Sequence, residues 1–293
     1  MHKILAGSLA VERLTIEIAG LPESLEGTRV VQLSDLHYDG LRLSDELLAE
    51  AIATSNQAKP DLVVLTGDYI TDSTAPMEAL ARSLQQLQSQ LGIYAILGNH
   101  DHYRPGFKAT VTNALTQVSI HVLWNQIAYP WGTQFPLVGL ADFWSREFDP
   151  ASVFPKIPAS VPRLVLSHNP DSAVPLQAWR VDLQLSGHTH GGQIVIPGLG
   201  PIVRWLELGR THIAPLLHPW LPFSQGKSNR IVRHWEWSEG LHAVGTNTLY
   251  VNRGLGTYAP GRLFCPPEVT IITLIAKPIR HRNKPSAISL TTG

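Results

Sequence analysis

Side chains that bind divalent metal ions recur in short motifs along the first two thirds of the chain. Asp35 and His37 stand one residue apart, Asp68 follows a glycine, and the later motifs add an asparagine and further histidines. Carboxylate, imidazole and amide ligands without sulfur suit Mn, Fe or Zn, and the number of carboxylates suits a pair of ions. The candidate metal ligands are Asp35, His37, Asp68, Asn99, His168, His188 and His190.

The run Gly98-Asn99-His100-Asp101 is the most specific of these motifs, because an amide, an imidazole and a carboxylate occupy consecutive positions. Taken alone, any of the 13 histidines could be an ordinary core or loop residue. The whole ordered set of motifs is much harder to explain in that way. The sequence therefore predicts a metal-dependent active site.

Each motif directly follows a short apolar run that predicts a buried β-strand. Helical stretches separate these runs, as expected when parallel strands are joined by crossover helices, so the fold class is α/β. Because ligands bind beyond the carboxyl ends of such strands, the motifs should converge in one crevice. The predicted strands are 29–34, 61–66, 93–97, 136–141, 163–167 and 182–186, with later ones at 248–252 and 268–275.

Three helices are predicted between these strands. Ser44 is a suitable N-cap for the first, with Asp45 and Glu46 in its first turn. The second begins near Pro76, where leucines at 80, 84, 87 and 91 recur at helical spacing and indicate a core-facing stripe. The third begins at Asn169 and Pro170 and runs toward Trp179.

The composition is that of a folded protein without a strong overall electrostatic field. Hydrophobic residues make up 44% of the chain and charged residues 16%. Lys plus Arg equal Asp plus Glu at 23 each, so no nucleic-acid partner is expected. Cys265 is the only cysteine, which excludes an internal disulfide and a Cys-based zinc site.

The chain is expected to form a single domain over 1–276, with an elaborated loop or cap at about 198–245 and a flexible polar tail at 277–293. Aromatic and apolar side chains in the cap could form a groove for an amphiphilic substrate, or could pack as a small core of their own. They are Trp205, Leu216, Leu217, Trp220, Leu221, Phe223, Trp235 and Trp237.

The apolar run from Ile4 to Val11 is too short for a membrane span or a typical signal peptide, because Glu12 and Arg13 interrupt it. We therefore expect a cytoplasmic location and leave peripheral membrane contact open. No protein partner is implied.

Taken in order, Asp-x-His, Gly-Asp, Gly-Asn-His-Asp, a lone His and Gly-His-x-His resemble the calcineurin-like metallophosphoesterase superfamily over residues 29–190. More narrowly, the runs 167–171, 186–193 and 252–256 resemble the YaeI and YkuE branch of bacterial phosphoesterases. The resemblance implies a four-layer α/β/β/α sandwich with a dimetal site at the C-terminal ends of the strands.

The same resemblance implies a role for each candidate ligand. Asp35, His37 and His190 would bind one ion, while Asn99, His168 and His188 would bind the other. Asp68 would bridge the two ions, which together could activate a hydroxide for in-line attack on a phosphoester. His100 would face the leaving oxygen as a catalytic group, with Asp101 orienting its ring.

The implied activity is a phosphodiesterase acting on a phosphoester substrate. Two alternatives stay open: a pyrophosphate hydrolase acting on a nucleotide-linked lipid precursor, and a non-catalytic scaffold that keeps the fold. Arg253 could bind a phosphate bidentately or could form a surface ion pair. Gln193 could line the mouth of the site or could serve a tight turn.

Overall fold

Two six-stranded β-sheets form the centre of the computed structural model, which describes residues 7–205 and 232–278. The first sheet has the order β1 (Ala10–Ile18), β14 (Glu268–Ala276), β2 (Arg29–Leu33), β3 (Leu62–Leu65), β4 (Ile93–Ala95) and β5 (Ile120–Val122). The second has the order β12 (Gly240–Val244), β13 (Asn247–Val251), β9 (Leu183–Ser186), β8 (Leu164–Leu166), β7 (Leu137–Gly139) and β6 (Gln126–Ala128). A small antiparallel ribbon joins β10 (Val195–Ile196) to β11 (Gly200–Pro201).

Parallel pairing dominates the middle of both sheets. In the first sheet β2, β3, β4 and β5 are parallel, and β14 runs antiparallel to β2. In the second sheet β7, β8, β9 and β13 are parallel, and the edge strands β6 and β12 are antiparallel to their neighbours. Parallel pairing brings the carboxyl ends of neighbouring strands to one edge of each sheet.

The helices are α1 (Asp45–Gln57), α2 (Met77–Leu84), α3 (Phe107–Gln117) and α4 (Ala173–Leu176). The side chain of Ser44 accepts a hydrogen bond from the backbone N–H of Leu47, so the predicted N-cap of α1 is confirmed. None of the helices in the described ranges is long and apolar enough to cross a membrane.

Three hydrophobic layers explain the architecture. One lies between the first sheet and the helices α1 to α3, with Leu33, Leu65 and Leu80 among its members. A second fills the space between the two sheets, and a third covers the outer face of the second sheet around Phe154. The predicted four-layer α/β/β/α sandwich is confirmed.

Two predicted helices are shorter in the structure. Helix α2 ends at Leu84, and Leu91 is 39% exposed, so the predicted stripe of leucines does not continue along one helix. Leu87 is buried in the turn that leads to β4. After Asn169 the chain forms a 3-10 turn over Pro170–Ser172 and only one turn of helix in α4, which contains Pro175 and therefore lacks a backbone donor there.

The predicted cap overlaps the second sheet. Residues 240–244, which we placed in the cap, form strand β12 and pair with β13. Trp235 and Trp237 lie in a 3-10 turn just before that strand. Trp220, the leucines at 216, 217 and 221, and Phe223 fall outside the described residues, as does nearly all of the predicted tail.

Candidate metal centre

The candidate ligands lie at the carboxyl ends of five strands and meet between the two sheets. All except Asn99 are buried, with His190 at 8% exposure the most accessible of the buried set. Asp35 and His37 follow β2, Asp68 follows β3, Asn99 follows β4, His168 follows β8, and His188 and His190 follow β9.

Asp35, His37 and His190 form the first group. Nε2 of His190 lies 3.2 Å from Nε2 of His37 and 3.6 Å from Oδ1 of Asp35. The three ligand atoms lie within 4.8 Å of one another, which is close enough for one cation to contact all three.

Asp68, His168 and His188 form the second group. Nε2 of His168 lies 3.2 Å from Oδ2 of Asp68 and 3.2 Å from Nδ1 of His188. The same Asp68 oxygen lies 3.5 Å from Nε2 of His37 in the first group. The Asp68 carboxylate therefore lies between the two groups.

Asn99 supplies an oxygen that fits a metal ligand. Its side-chain Oδ1 is buried and has no hydrogen-bond partner. An acceptor buried without a partner costs roughly 1–3 kcal/mol, which coordination to a cation would offset. Together with the imidazoles and carboxylates, this oxygen completes a donor set that suits hard or borderline divalent cations.

Two of the histidines are already in the protonation state that metal binding requires. Burial lowers the pKa of His37 and of His190 to about 3, so both rings are neutral and their nitrogen lone pairs are available. Burial also opposes the charge of His168, but the adjacent Asp68 carboxylate outweighs it and raises the pKa of His168 to about 10. A cation and this proton compete for the same nitrogen, so metal binding there releases a proton.

Hydrogen bonds on the far side of three rings fix their orientation. Nδ1 of His168 lies 2.7 Å from the carbonyl oxygen of Thr66, and Nδ1 of His190 lies 3.1 Å from that of Gly256. Because a carbonyl only accepts, each Nδ1 carries a proton and each Nε2 faces the centre. Nδ1 of His37 similarly contacts the hydroxyl of Thr71 at 3.1 Å.

The backbone at the strand ends is unusual. Asp35, His37, Asp68, His188 and His190 all have positive φ, between 44° and 73°. Non-glycine residues in the left-handed region cost of order 1 kcal/mol each and cluster at functional sites. The packing of the two sheets therefore maintains a strained turn after three of these strands.

A cavity of about 390 Å³ opens directly over both groups. His37, Asp68, Asn99, His188 and His190 contribute to its floor. Trp144, Gln193, Val203, Trp235 and Tyr258 contribute to its walls, and His100 also faces it.

Residues 28–192 match the Calcineurin-like phosphoesterase family, Metallophos. The chain belongs to this family. It is 35% identical to Phosphodiesterase YaeI of Escherichia coli (strain K12) over 84% of this chain and 82% of that protein. It is 32% identical to the Uncharacterized metallophosphoesterase YkuE of Bacillus subtilis (strain 168), over 89% and 83% of the two chains.

A third relative is named UDP-2,3-diacylglucosamine pyrophosphatase LpxG, from Chlamydia trachomatis, and is 27% identical over 92% of this chain and 90% of that one. Family membership and the buried donor groups together make this protein a metal-dependent phosphoester hydrolase. The predicted family and reaction class are confirmed.

In this calcineurin-like phosphoesterase His100 faces the cavity, but a group other than Asp101 contacts its ring. The backbone N–H of His100 donates to Oδ1 of Asp68 at 2.9 Å, and its ring Nδ1 lies 3.2 Å from the carbonyl oxygen of Thr71. The Asp101 carboxylate instead accepts from the backbone N–H groups of Asp68, Tyr69 and Gly98. The prediction that Asp101 orients the His100 ring is therefore wrong, because Asp101 points into the loop after β3.

Arg253 is paired with carboxylates and not directed at the site. Its guanidinium contacts Glu12 at 2.5 Å, Glu268 at 2.8 Å and Glu239 at 3.4 Å. These three carboxylates satisfy the charge, so the prediction of a phosphate contact by Arg253 is wrong and the ion-pair alternative applies. Gln193 does line the cavity, and its side-chain oxygen accepts from the backbone N–H of Tyr258 at 2.6 Å.

Trp144 and Tyr258 are among the cavity residues that sequence reasoning missed. Trp144 follows β7, which corresponds to the predicted strand 136–141. Of the first six predicted strands, this was the one to which we assigned no candidate residue. A search of every strand end would have found it. Tyr258 comes two residues after Gly256 in a stretch with no metal-binding side chain, and no sequence signal marked it.

Proposed function

We propose that the chain is a dinuclear phosphodiesterase whose two cations are bridged by Asp68. The observation that carries this proposal is the position of Oδ2 of Asp68, 3.5 Å from Nε2 of His37 and 3.2 Å from Nε2 of His168. A single carboxylate oxygen shared by two buried groups of ligands suits a pair of ions better than one.

Each side of the bridge has its own ligand set in this proposal. Asp35, His37 and His190 bind one ion on the first side. Asn99, His168 and His188 bind the other on the second side. The metals are Mn, Fe or Zn, and the orphaned Asn99 oxygen supports its inclusion.

The ions, when bound, lower the pKa of a water molecule and neutralise the phosphoryl oxygens. The chain supplies the positions of its own groups. Its 3-10 turn Asn99–Asp101 presents the ring of His100 to the cavity, while the Thr71 carbonyl oxygen fixes one ring nitrogen. When both ring nitrogens of His100 carry a proton, the other nitrogen can donate a hydrogen bond, or its proton, to the leaving oxygen.

A diester is favoured over a monoester for two reasons. The relative from Escherichia coli is named a phosphodiesterase and matches most of both chains. The cavity also extends beyond the ligand groups to Trp144 and Trp235, which leaves room for a second substituent on the phosphorus.

A second candidate is hydrolysis of a nucleotide-linked lipid pyrophosphate, which the name of the chlamydial relative supports. A non-catalytic scaffold is the candidate of a different class. The filled set of ligand positions argues against that scaffold, because a scaffold has no need of buried, strained ligands.

Metal content and hydrolysis of bis(p-nitrophenyl) phosphate and p-nitrophenyl phosphate test the proposal. We expect two ions per chain and faster cleavage of the diester. Asp68→Ala should lose metal and activity, and His100→Ala should lose activity while keeping metal. His121→Ala is the matched control, because His121 is exposed on β5 and stacks on Tyr94 away from the cavity.

Each contrary result points to a named alternative. Faster cleavage of UDP-2,3-diacylglucosamine than of any simple diester would favour the lipid pyrophosphatase. Metal-free, inactive protein under every divalent ion tried would favour the scaffold.

We also propose a cytoplasmic location, which fractionation of cells expressing the tagged protein tests.

A further inference from the structure

The cavity over the ligand groups has a mostly apolar wall. Trp144 is 46% exposed and reaches the cavity from the loop after β7. Trp235, Val203 and Tyr258 line it from other parts of the chain. An exposed tryptophan beside a buried polar centre is a place where a substrate group can pack.

Trp144 is fixed in position by its surroundings. Its backbone N–H donates to Oδ2 of the buried Asp142 at 3.0 Å, and the same oxygen lies 3.1 Å from Nε2 of His102. The indole ring meets the ring of His188 edge-on, with centroids 5.1 Å apart. These contacts restrain the backbone at Trp144 and one edge of its indole ring, which reduces the entropy lost when a ligand binds there.

Tyr258 is fixed in a similar way. Gln193 accepts from its backbone N–H, and its hydroxyl lies 3.0 Å from Nδ1 of His37. The ring also packs edge-on against His190, with centroids 5.3 Å apart. Trp144 thus contacts a histidine of the second ligand group, and Tyr258 contacts histidines of the first.

The charge of the cavity restricts what its wall can bind. Among the described residues that line it, the ionisable side chains are histidines, Asp68 and Tyr258, and none is Lys or Arg. The indole N–H of Trp235 is buried and has no hydrogen-bond partner. Arg42 lies behind the wall, with its guanidinium 4.8 Å from the Tyr258 ring, so no described lining residue offers a second phosphate a Lys or Arg side chain. An uncharged apolar group needs no such partner.

We propose that this wall is a subsite for an uncharged aromatic or acyl substituent of the phosphodiester, with Trp144 as a specificity-determining residue. This inference rests on the proposed phosphodiesterase function and names its substrate class. The preferred substrate then carries one phosphate and a bulky apolar ester group, and nucleotides with further phosphates are poor substrates.

A substrate pair with the same leaving group tests this directly. We expect kcat/KM for phenyl p-nitrophenyl phosphate to exceed that for methyl p-nitrophenyl phosphate by about tenfold or more, as apolar pockets discriminate by that order. In Trp144→Ala the ratio should fall toward one. Tyr129→Ala is the matched control, because Tyr129 is 49% exposed and lies outside the cavity lining, and it should keep the wild-type ratio.

An equal kcat/KM for both diesters, an unchanged ratio in Trp144→Ala, or a preference for a thymidine diphosphate p-nitrophenyl ester over the phenyl diester overturns the inference. Calorimetric titration with diphenyl phosphate and dimethyl phosphate gives a readout that does not need turnover. If no diester is hydrolysed, the proposed function fails, while tighter binding of diphenyl phosphate still supports the subsite and equal binding overturns it.

Discussion

A methyl group added at Gly98 would lie 2.2 Å from Oδ1 of Asp68. Gly98 has φ −92° and ψ −179°, which other residues adopt readily, so the backbone does not require glycine at this position. Glycine is required at this position because the Asp68 carboxylate approaches it so closely. The glycine of the Gly-Asn-His-Asp motif therefore makes room for the proposed bridging ligand on the neighbouring strand end.

Gly98→Ala should displace Asp68 and impair both metal positions. Misplacing a reacting group by about 1 Å costs on the order of a hundredfold in rate, so we expect kcat to fall by about that factor. Metal analysis after gel filtration should show fewer than two ions per chain. Full metal content with wild-type kcat would contradict the bridging role.

Gly187→Ala is the companion variant, because its added methyl group would lie 2.2 Å from Oδ2 of Asp35 and 2.0 Å from Oγ of Ser34. Asp35 belongs to one ligand group only. Because the Asp35 carboxylate also accepts from the backbone N–H of His188 in the second group, we expect this variant to lose the ion of the first group and to bind the other more weakly, as measured by the same metal analysis. Loss of both ions would show that the two positions do not bind independently.

Asp101→Ala should destabilise the fold more than it alters the cavity. It removes the acceptor from four buried backbone donors, at Asp68, Tyr69, Gly98 and, at 3.4 Å, Ile70. Each costs roughly 1–3 kcal/mol, so we expect the free energy of unfolding to fall by about 3 kcal/mol or more.

Urea denaturation in the presence of a chelator measures this loss without a contribution from metal binding. Asp149→Ala is the control, because Asp149 accepts from the backbone N–H of Ser152 in an exposed 3-10 turn. It should cost about 1 kcal/mol, as a lost helix cap does. Equal losses in the two variants would contradict the role given to Asp101.

Arg262→Lys should weaken the metal position that contains His190. The guanidinium of Arg262 donates to the carbonyl oxygens of Arg253, Gly254 and Gly256. The Gly256 oxygen also accepts from Nδ1 of His190, so the arginine fixes the group that orients this ring. Burial lowers the pKa of the Arg262 guanidinium. The ammonium group of a lysine at this position would reach fewer of the three carbonyl oxygens.

Loss of such an outer hydrogen bond typically lowers metal affinity by about 10- to 100-fold, and we expect that range here. Competition with a metal-binding dye measures the affinity. The exposed Arg146→Lys should leave it unchanged. An unchanged affinity in Arg262→Lys would show that the arginine serves the loop alone.

Added manganese should raise the thermal midpoint of the chelator-treated protein. A ligand that binds only the folded state stabilises it by about 2.7 kcal/mol at one hundred times its dissociation constant. Scanning fluorimetry across a manganese series measures the rise. Asp68→Ala should show little or no rise, and a wild-type rise in that variant would place the metal elsewhere.

The sequence by itself predicted the layers of the fold and brought the candidate ligands to one crevice, because both depend on local patterns. Apolar runs predict buried strands, and a strand end fixes where the next side chains lie, so His37, Asp68 and His188 could be assigned to one crevice. The N-cap Ser44 could be predicted for the same reason, because its hydrogen-bond partner is only three residues away. In each case the residues that carry the signal are neighbours in the chain.

Only the tertiary structure decided what Asp101, Arg253 and Tyr258 do. Asp101 accepts from Asp68 and Tyr69 on the loop after a different strand, and Arg253 contacts Glu12 across 241 positions of sequence. Tyr258 reaches His37 across 221 positions. A side chain takes the partner that packing brings within hydrogen-bond distance, and spacing along the chain carries no information about contacts made by strands from opposite ends of it.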